Sequence, residues 1–579
     1  MGATVSRHTA APIDTSAMPA LKKVLPKYSC ADLATQDFSQ IRGAPTTILS
    51  ATLVTTGTSF PYCDVSGIVA PQVQFELQLP TKTYAQRYLQ EGCGGYCGSV
   101  GVMPPAASGQ AGIDECVPLN NGEFVLGQDD EGHIGGGVTE AWASSDPMLK
   151  VDFGYLSEHV FALAAKAIIA SFYGQGPAYS YYDGCSDGGR EALMEAQRFP
   201  RDFNGIIAGA PAFNQAALNA MEEPYESTVD FTKSGQTILT AAKSAVLHND
   251  IIAQCADPGL KDGTIQDPRD CHPDWAKIQC AASAPSAADC LTAAQVTVAK
   301  RLYNGAVAPD GEHLYTGGEP YGAESGWPGI VIPATSAPAA ENTTFFHSIG
   351  SGYLRSVGRW NDALSLDLDK GFKFDQQTFR QYVDTSNPAN VAGIVDATDP
   401  NLTAFYQAGG KLIQWQGWAD QFIPPEGSVA YRQAVINTMG AATAGKFYRL
   451  YMFPGVYHCG GGYGPNVFDL LTPLIKWVEA GKTPGRVVAA LVSGGTGPAG
   501  TGASTGKVEL TRPVYPYPEE VKYSGHGSTL DAANYVGYVP TTLPNDNYRW
   551  AGYPFTSGYE KWCSPNRTGL GLVCTRKRD

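Results

Sequence analysis

The pentapeptide Gly184-Cys185-Ser186-Asp187-Gly188 fits the pattern G-x-S-x-G. Its physical logic is a sharp turn from strand to helix, where the serine takes a strained conformation and the glycines remove side chains that would collide. Such a turn lifts the hydroxyl above a sheet and aims a helix N-terminus at it. A serine hydroxyl is a weak nucleophile at neutral pH; it needs a base, and the base needs an orienting carboxylate. On α/β sheets the partners follow in the order Ser, Asp, His, each on a loop after a strand. Asp420, in QGWADQF, and His458, in PGVYHCGGG, stand downstream in that order. Ser186, Asp420 and His458 are therefore the expected triad, and the expected chemistry is hydrolysis of a carboxylic ester through an acyl-enzyme, with no organic cofactor.

The other histidines considered fit less well. His133 precedes the serine, and His248, His272, His313 and His347 fall in a middle segment of different texture. His526, in SGHGS, is the late competitor, in a polar loop with no clear strand before it. Two cysteines add weight to His458. Cys185 precedes the serine and Cys459 follows the histidine, so contact between Ser186 and His458 would bring these neighbours within bridging distance.

Elements that could position these residues are legible nearby. Residues 46–54 and 73–79 (VQFELQL) read as strands. The glycine cluster 90–99 (QEGCGGYCGS) reads as a loop after a strand. Ser157 to Tyr173 has helical spacing of apolar residues, Ala178 to Tyr182 reads as a strand, and Arg190 to Arg198 as a helix. The beat returns with strand 411–417, helix 428–440, strand 447–455 and helix 470–481. This rhythm is that of an α/β sheet. Between its two parts, roughly 213 to 398 is rich in Ala, Ser and Pro, has four cysteines and lacks the beat, so it reads as an insertion. The expected organisation is a tail over 1–29, a catalytic domain over 30–212 and 399–579, and an inserted lid domain over 213–398. Gln416 and Ile423, flanking the Asp420 loop, are expected to line the substrate pocket.

The 579 residues carry a formal charge of −15, and 16 % are charged against 43 % hydrophobic. That mixture describes a folded globular protein, and an acidic surface argues against nucleic acid as a partner. No run of about eighteen apolar residues predicts a membrane span. The stretch Met1 to Met18 lacks the apolar core of an intact signal peptide, so the expectation is of a trimmed leader. Thirteen cysteines indicate a disulfide framework made in an oxidising compartment, hence secretion. Cys255 and Cys271, Cys280 and Cys290, and Cys563 and Cys574 are spaced as local bridges. No CxxC pair with a matching His or Cys pair suggests zinc. Sequons occur at Asn342, Asn401 and Asn566.

The segment GCSDGGREALMEAQRFPRDFNGIIAGAPA, the Cys-Ser, Asp and His-Cys arrangement, and PGVYHCGGG resemble the tannase and feruloyl esterase family, which includes the mono(2-hydroxyethyl) terephthalate hydrolases. The resemblance runs from about Cys30 to Pro516. It implies an α/β-hydrolase fold with a large lid inserted between the nucleophile strand and the Asp strand. It also implies esters of aromatic acids as substrates. By the same resemblance Cys30 pairs with Cys63, Cys185 with Cys459, Cys255 with Cys271, Cys280 with Cys290, and Cys563 with Cys574. Cys93, Cys97 and Cys116 remain, and an odd thiol is left whichever two bridge.

An oxyanion hole needs two backbone N–H groups facing the developing alkoxide. One is expected from Asp187, after the nucleophile; for the other, in Gly92-Cys93-Gly94-Gly95, the family pattern points to Gly95. The family also implies a structural calcium site in the lid, in a loop of the form C-D-A-L-D-G-x-x-D-G-x-I. Here the loop is Cys255-Ala-Asp-Pro-Gly-Leu-Lys-Asp-Gly-Thr-Ile265, one residue shorter, with a proline beside the glycine where an acidic ligand is expected. Asp262 with the carbonyls of Leu260 and Thr264 matches, and Asp257 is the substitute carboxylate. Calcium prefers six to eight oxygens. The alternatives are a weakened site and a calcium-free loop clipped by Cys255 and Cys271. No confident match appears to the lid arginine by which the terephthalate hydrolases hold a free carboxylate; Arg355 is the nearby candidate. A feruloyl esterase or tannase-like activity is therefore expected over terephthalate monoester hydrolysis. A serine carboxypeptidase or lipase would lack the Cys-Ser and His-Cys pairing, and a non-catalytic binding protein of this fold would usually lack a triad member.

Overall fold

The structure is a computed structural model that describes residues 20–102, 112–113, 115–284, 287–362, 365–492, 506–542, 545–552, 555–566 and 572–576. Nine strands form its main sheet: β1 (Thr46–Val54), β2 (Tyr62–Val69), β3 (Val73–Pro80), β4 (Arg87–Glu91), β5 (Phe124–Asp129), β6 (Tyr179–Cys185), β7 (Gly205–Gly209), β8 (Lys411–Gly417) and β9 (Tyr448–Phe453). Their spatial order is β1-β2-β3-β5-β4-β6-β7-β8-β9. The β1–β3 meander is antiparallel, β5 pairs antiparallel with β3, and every pairing from β5 through β4 to β9 is parallel.

Burial explains both halves. The outer strand β2 alternates half-buried and buried residues, as a sheet with one covered face does. β7 (GIIAG) is buried at every position, and β8 (KLIQWQG) at all but its first. Alternate residues of one strand feed opposite cores. Tyr88, Tyr182, Ile206 and Leu412 join the larger apolar cluster; Leu89, Tyr181, Ile207 and Ile413 join the smaller.

Helices cover both faces. α1 (Ser157–Tyr173) packs on β3 and β5, and α2 (Asp187–Arg198) on β6 and β7. α1 stops at Gly174, whose φ of 76° is the left-handed conformation that ends helices. The helical run Pro147–Tyr173 is long and apolar enough to cross a membrane by composition, but its apolar side chains, among them Phe161, Ile168 and Phe172, are buried in the core. Residues 20–29, expected as tail, hydrogen-bond to the sheet domain, Val24 N–H to Tyr84 and Lys27 N–H to Phe172.

The chain leaves the sheet after β7 and re-enters at the neighbouring strand β8. Between them lie α3 (Glu223–Val229) and α4 (Phe345–Gly352). α5 (Glu426–Met439) follows β8, and α6 (Leu471–Ala480) follows β9 and packs on β7 and β8.

Candidate active site

β6 ends at Cys185 and α2 begins at Asp187, so Ser186 alone makes the turn between them. Its φ of 67° and ψ of −121° are a strained conformation for a residue with a Cβ. A Cβ on Gly184 would lie 2.4 Å from the Gly188 carbonyl oxygen, so the turn closes only around glycine. Ser186 N–H donates to Gly209 at the end of β7 (3.0 Å), which braces the turn against the next strand.

The loops after β8 and β9 bring the partners in. His458 Nε2 lies 2.8 Å from Ser186 Oγ, and His458 Nδ1 lies 2.9 Å from Asp420 Oδ2. Asp420 is fully buried and well supplied with donors: Phe422 and Ile423 N–H to Oδ1, and Gln416 Nε2 to Oδ2 at 2.7 Å. A buried carboxylate at Nδ1 keeps the proton there and leaves Nε2 to accept from the serine. The Phe422 ring stacks on the imidazole, centroids 4.6 Å apart. His526 is exposed and makes no contact with this group, while His133 is buried against Trp142.

Cys185 and Cys459 form a disulfide across 274 residues of chain, with Cα atoms 5.8 Å apart. The bridges Cys30–Cys63, Cys255–Cys271, Cys280–Cys290 and Cys563–Cys574 also stand. The open question among the remaining three resolves as Cys93–Cys97, which clips the glycine loop, with Cys116 left as a buried thiol. Gly95, inside that clip, lines the same cleft as Ser186 and Asp187. Its φ is 64°, and a Cβ there would lie 2.2 Å from the Gly137 carbonyl oxygen. Asp187 is the first residue of α2, where N–H groups have no intrahelical acceptor. Its side chain is turned inward, bonded by Arg190 Nε (2.6 Å) and Nη2 (2.7 Å), and Arg190 also pairs with Glu131. Nothing in the sequence pattern marked Arg190 for this task.

The cleft at Ser186 is lined further by Ala212, Gln215, Leu218, Asn219, Glu223, Phe345, Ile349, Phe422 and Ile423. Ile423 is thus where sequence placed it. Gln416 is not. It lies buried behind Asp420, its Nε2 serving Asp420 and the Ile423 carbonyl and its Oε1 accepting from Ser428, so it holds the carboxylate instead of meeting a substrate. Gln416 stands on β8, buried at every position after the first, whereas Ile423 lies in the loop beyond that strand. Asn219 and Glu223 went unread in the sequence, although their i, i+4 spacing puts them on one helix face. Burial pushes the Glu223 carboxyl up to about 8. Arg355 lies outside the cleft, half-exposed and paired with Glu140.

The residues expected to bind calcium have partners within the protein. Asp262 Oδ1 accepts from Thr264 N–H and Oγ1, and its Oδ2 is 2.7 Å from Arg512 Nε. The Leu260 carbonyl accepts from Tyr535 (2.7 Å), the Thr264 carbonyl from Asp257 N–H (2.9 Å), and Asp257 Oδ1 from Gly259 N–H. Arg512 is buried and lies over the Tyr535 ring, 4.4 Å from its centre. A guanidinium beside Asp262 supplies the positive charge that an ion would bring. Calcium takes six to eight oxygens, carbonyls and water included; with two aspartates, one of whose carboxylate oxygens faces a guanidinium, the set fits calcium poorly.

Serine, histidine and aspartate in contact at the strand ends of a mostly parallel sheet are the equipment of a serine hydrolase. Comparison with known proteins narrows this. A family model described as tannase and feruloyl esterase matches residues 55–537. A probable feruloyl esterase B-1 of Neosartorya fischeri is 28 % identical over 79 % of this chain and 82 % of its own. The mono(2-hydroxyethyl) terephthalate hydrolase of Piscinibacter sakaiensis is 29 % identical over 83 % and 85 %. The crystal structure of feruloyl esterase B from Aspergillus oryzae superposes with a TM-score of 0.72 at 25 % identity, covering 88 % of this chain and 100 % of that one. The chain belongs to the tannase and feruloyl esterase family and is a carboxylic ester hydrolase.

Proposed function

We propose that this chain is a secreted α/β-hydrolase that cleaves esters of aromatic acids, of the feruloyl esterase or tannase kind, through an acyl-enzyme on Ser186. The contact between His458 Nε2 and Ser186 Oγ carries the reading. His458 takes the hydroxyl proton as Ser186 attacks the ester carbonyl, and Asp420 stabilises the imidazolium. The N–H groups of Gly95 and Asp187 receive the oxyanion of the tetrahedral intermediate. Collapse expels the alcohol, which takes its proton from His458; water, activated by the same histidine, then releases the acid. These side chains and backbone groups carry every step.

Residues 213–398 act as the lid, because Leu218, Phe345 and Ile349 from that segment wall the cleft that holds Ser186. Those apolar walls suit a small aromatic ester. The terephthalate monoester, the substrate in one relative's name, is the second reading; it is disfavoured because, among the described residues, no arginine or lysine lines the cleft to hold its free carboxylate. Six disulfides support secretion into an oxidising compartment.

A panel of methyl ferulate, methyl gallate, p-nitrophenyl acetate and the terephthalate monoester tests this. Hydrolysis of methyl ferulate or methyl gallate well above the monoester, lost in Ser186→Ala, is the expected result. Turnover of p-nitrophenyl acetate alone, or activity surviving in Ser186→Ala, overturns it.

A further inference from the structure

The glycine loop after β4 and the first turns of α2 meet at one peptide. Gly188 N–H donates to the Cys93 carbonyl at 2.7 Å, and Cys93 N–H donates to Glu191 Oε2 at 3.3 Å. Glu191 stands one helical turn beyond Asp187, and its Oε2 also accepts from the Tyr182 hydroxyl of β6 at 2.6 Å. Two residues past Cys93 the loop presents Gly95, and the Cys93–Cys97 bridge closes around it. Among the described residues neither Gly95 N–H nor Asp187 N–H donates to another group. One helix thus begins with one of the two free donors and grips the loop that presents the other.

The contact is close. A Cβ on Gly92 would lie 2.4 Å from Glu191 Oε2, and one on Gly188 would lie 2.9 Å from the Cys93 carbonyl oxygen. Glu191 is 2 % exposed, and no step of the reaction above uses it. An ionised carboxylate here would oppose an oxyanion. Burial, with the Glu158 and Asp187 carboxyls beside it, pushes Glu191 well above the usual carboxylate range, which favours the neutral acid. A neutral acid still accepts hydrogen bonds at its carbonyl oxygen, from Tyr182 and from the loop.

We propose that Glu191 is a positioning residue for the oxyanion hole: by holding the Cys93 peptide it fixes Gly95 N–H relative to Asp187 N–H. This rests on the assignment of those two groups to the oxyanion. Placement is what such donors contribute, since they act only where the charge develops, and an error of about 1 Å costs roughly 10²-fold in rate. Both acylation and deacylation pass through an oxyanion, so the effect falls on kcat whichever step limits.

The test measures kcat and KM on the best ester of the panel above, with the affinity for two inhibitors of the same aryl group. The trifluoromethyl ketone adds to the enzyme: Ser186 Oγ bonds to its carbonyl carbon, the hydroxyl proton passes to His458, and the carbonyl electron pair becomes an oxyanion. The matching methyl ketone binds without that charge. Glu191→Asp keeps the acid but withdraws its oxygens by about 1.5 Å. Its kcat should fall about tenfold or more with KM within about twofold, and its preference for the trifluoromethyl ketone should fall by a similar factor. Glu191→Gln keeps the reach and an accepting oxygen, and should lose no more than about threefold. A merely structural role would lower the melting temperature and leave the inhibitor preference where it was.

Unchanged kcat and inhibitor preference in Glu191→Asp overturn the inference, and so does a Glu191→Gln as impaired as Glu191→Asp. Tyr182→Phe removes the hydroxyl that steadies Glu191 and should lower kcat about threefold or more at constant KM. If Glu191→Asp does not fold, an unaltered Tyr182→Phe overturns the inference instead. A wild-type enzyme that binds both ketones alike refutes the oxyanion assignment itself, and this inference falls with it.

Discussion

His458 Nε2 stands 2.8 Å from Ser186 Oγ, although 272 residues of chain separate the two. The distance is within reach of proton transfer without rearrangement. Ser186→Ala and His458→Ala should each lower kcat on an aryl ester by ~10⁴-fold or more while leaving the melting temperature within a few degrees of wild type. His526→Ala should remain active. An inactive His526→Ala beside an active His458→Ala would refute the assignment.

Gln416 offers a sharper test, because the two roles suggested for it move different constants. As a support for Asp420 it acts on the reacting geometry, so Gln416→Leu should lower kcat by about tenfold with KM little changed. A pocket residue would show the reverse. A variant with raised KM and unaltered kcat would return Gln416 to the substrate.

The Cys185–Cys459 bridge joins the neighbours of Ser186 and His458. Closing so long a loop is worth on the order of 5 kcal/mol in chain entropy. Replacing both cysteines by alanine should lower the melting temperature, and it should also lower kcat more than it raises KM at temperatures where the variant is folded, as the Ser186–His458 geometry loosens. Unchanged activity per folded molecule would mark the bridge as a staple only.

Many carboxyl groups are held protonated by burial. Glu222 and Glu223 are pushed up to about 8, Asp152, Asp230 and Asp396 to about 7, and Asp130 and Asp469 to about 6. Each folded pKa lies above its unfolded value near 4, so between the two the folded chain binds the extra proton. Their contribution is fully present below about pH 4 and is lost as pH rises through 6 to 8. Lys150, lowered to about 8 by burial, works in the opposite sense, but only above that pH. The melting temperature should therefore fall steadily between pH 5 and pH 8.5. A curve that rises across this window would contradict the protonation of the buried acids.

The Arg512–Asp262 pair bears on calcium. With a guanidinium in place, a chelator should shift the melting temperature by less than about 1 °C, since removing a ligand destabilises only a protein that binds it. Arg512→Met strands a buried aspartate and should cost about 3 kcal/mol. A clear loss of stability with chelator in the wild-type protein would show that the loop binds the ion after all.

Local order carried the chemistry into the sequence. A G-x-S-x-G turn depends on residues within five positions, and helical or strand spacing depends on near neighbours, so Ser186, the helix Ser157–Tyr173 and the strand Lys411–Gly417 were readable in place. Asp420 and His458 were readable because each follows a legible strand in a required order. The strands Arg87–Glu91 and Phe124–Asp129 were not, since both are short and almost wholly buried, and a strand covered on two faces shows no alternation.

What the sequence determined by itself, then, was the candidate triad of Ser186, Asp420 and His458 and the local bridges, because each is written in a few adjacent residues. Tertiary structure alone decided the rest. Gln416 turned from pocket to support because it is buried on β8 and its amide is spent on Asp420. Cys93 chose Cys97 over Cys116 because the glycine loop folds back on itself. Arg512 reached Asp262, and Asn219 and Glu223 came to line the cleft at Ser186, across 250 and about 35 residues of intervening chain. Contacts between segments so far apart depend on how whole elements pack, and no window of neighbouring residues contains that information.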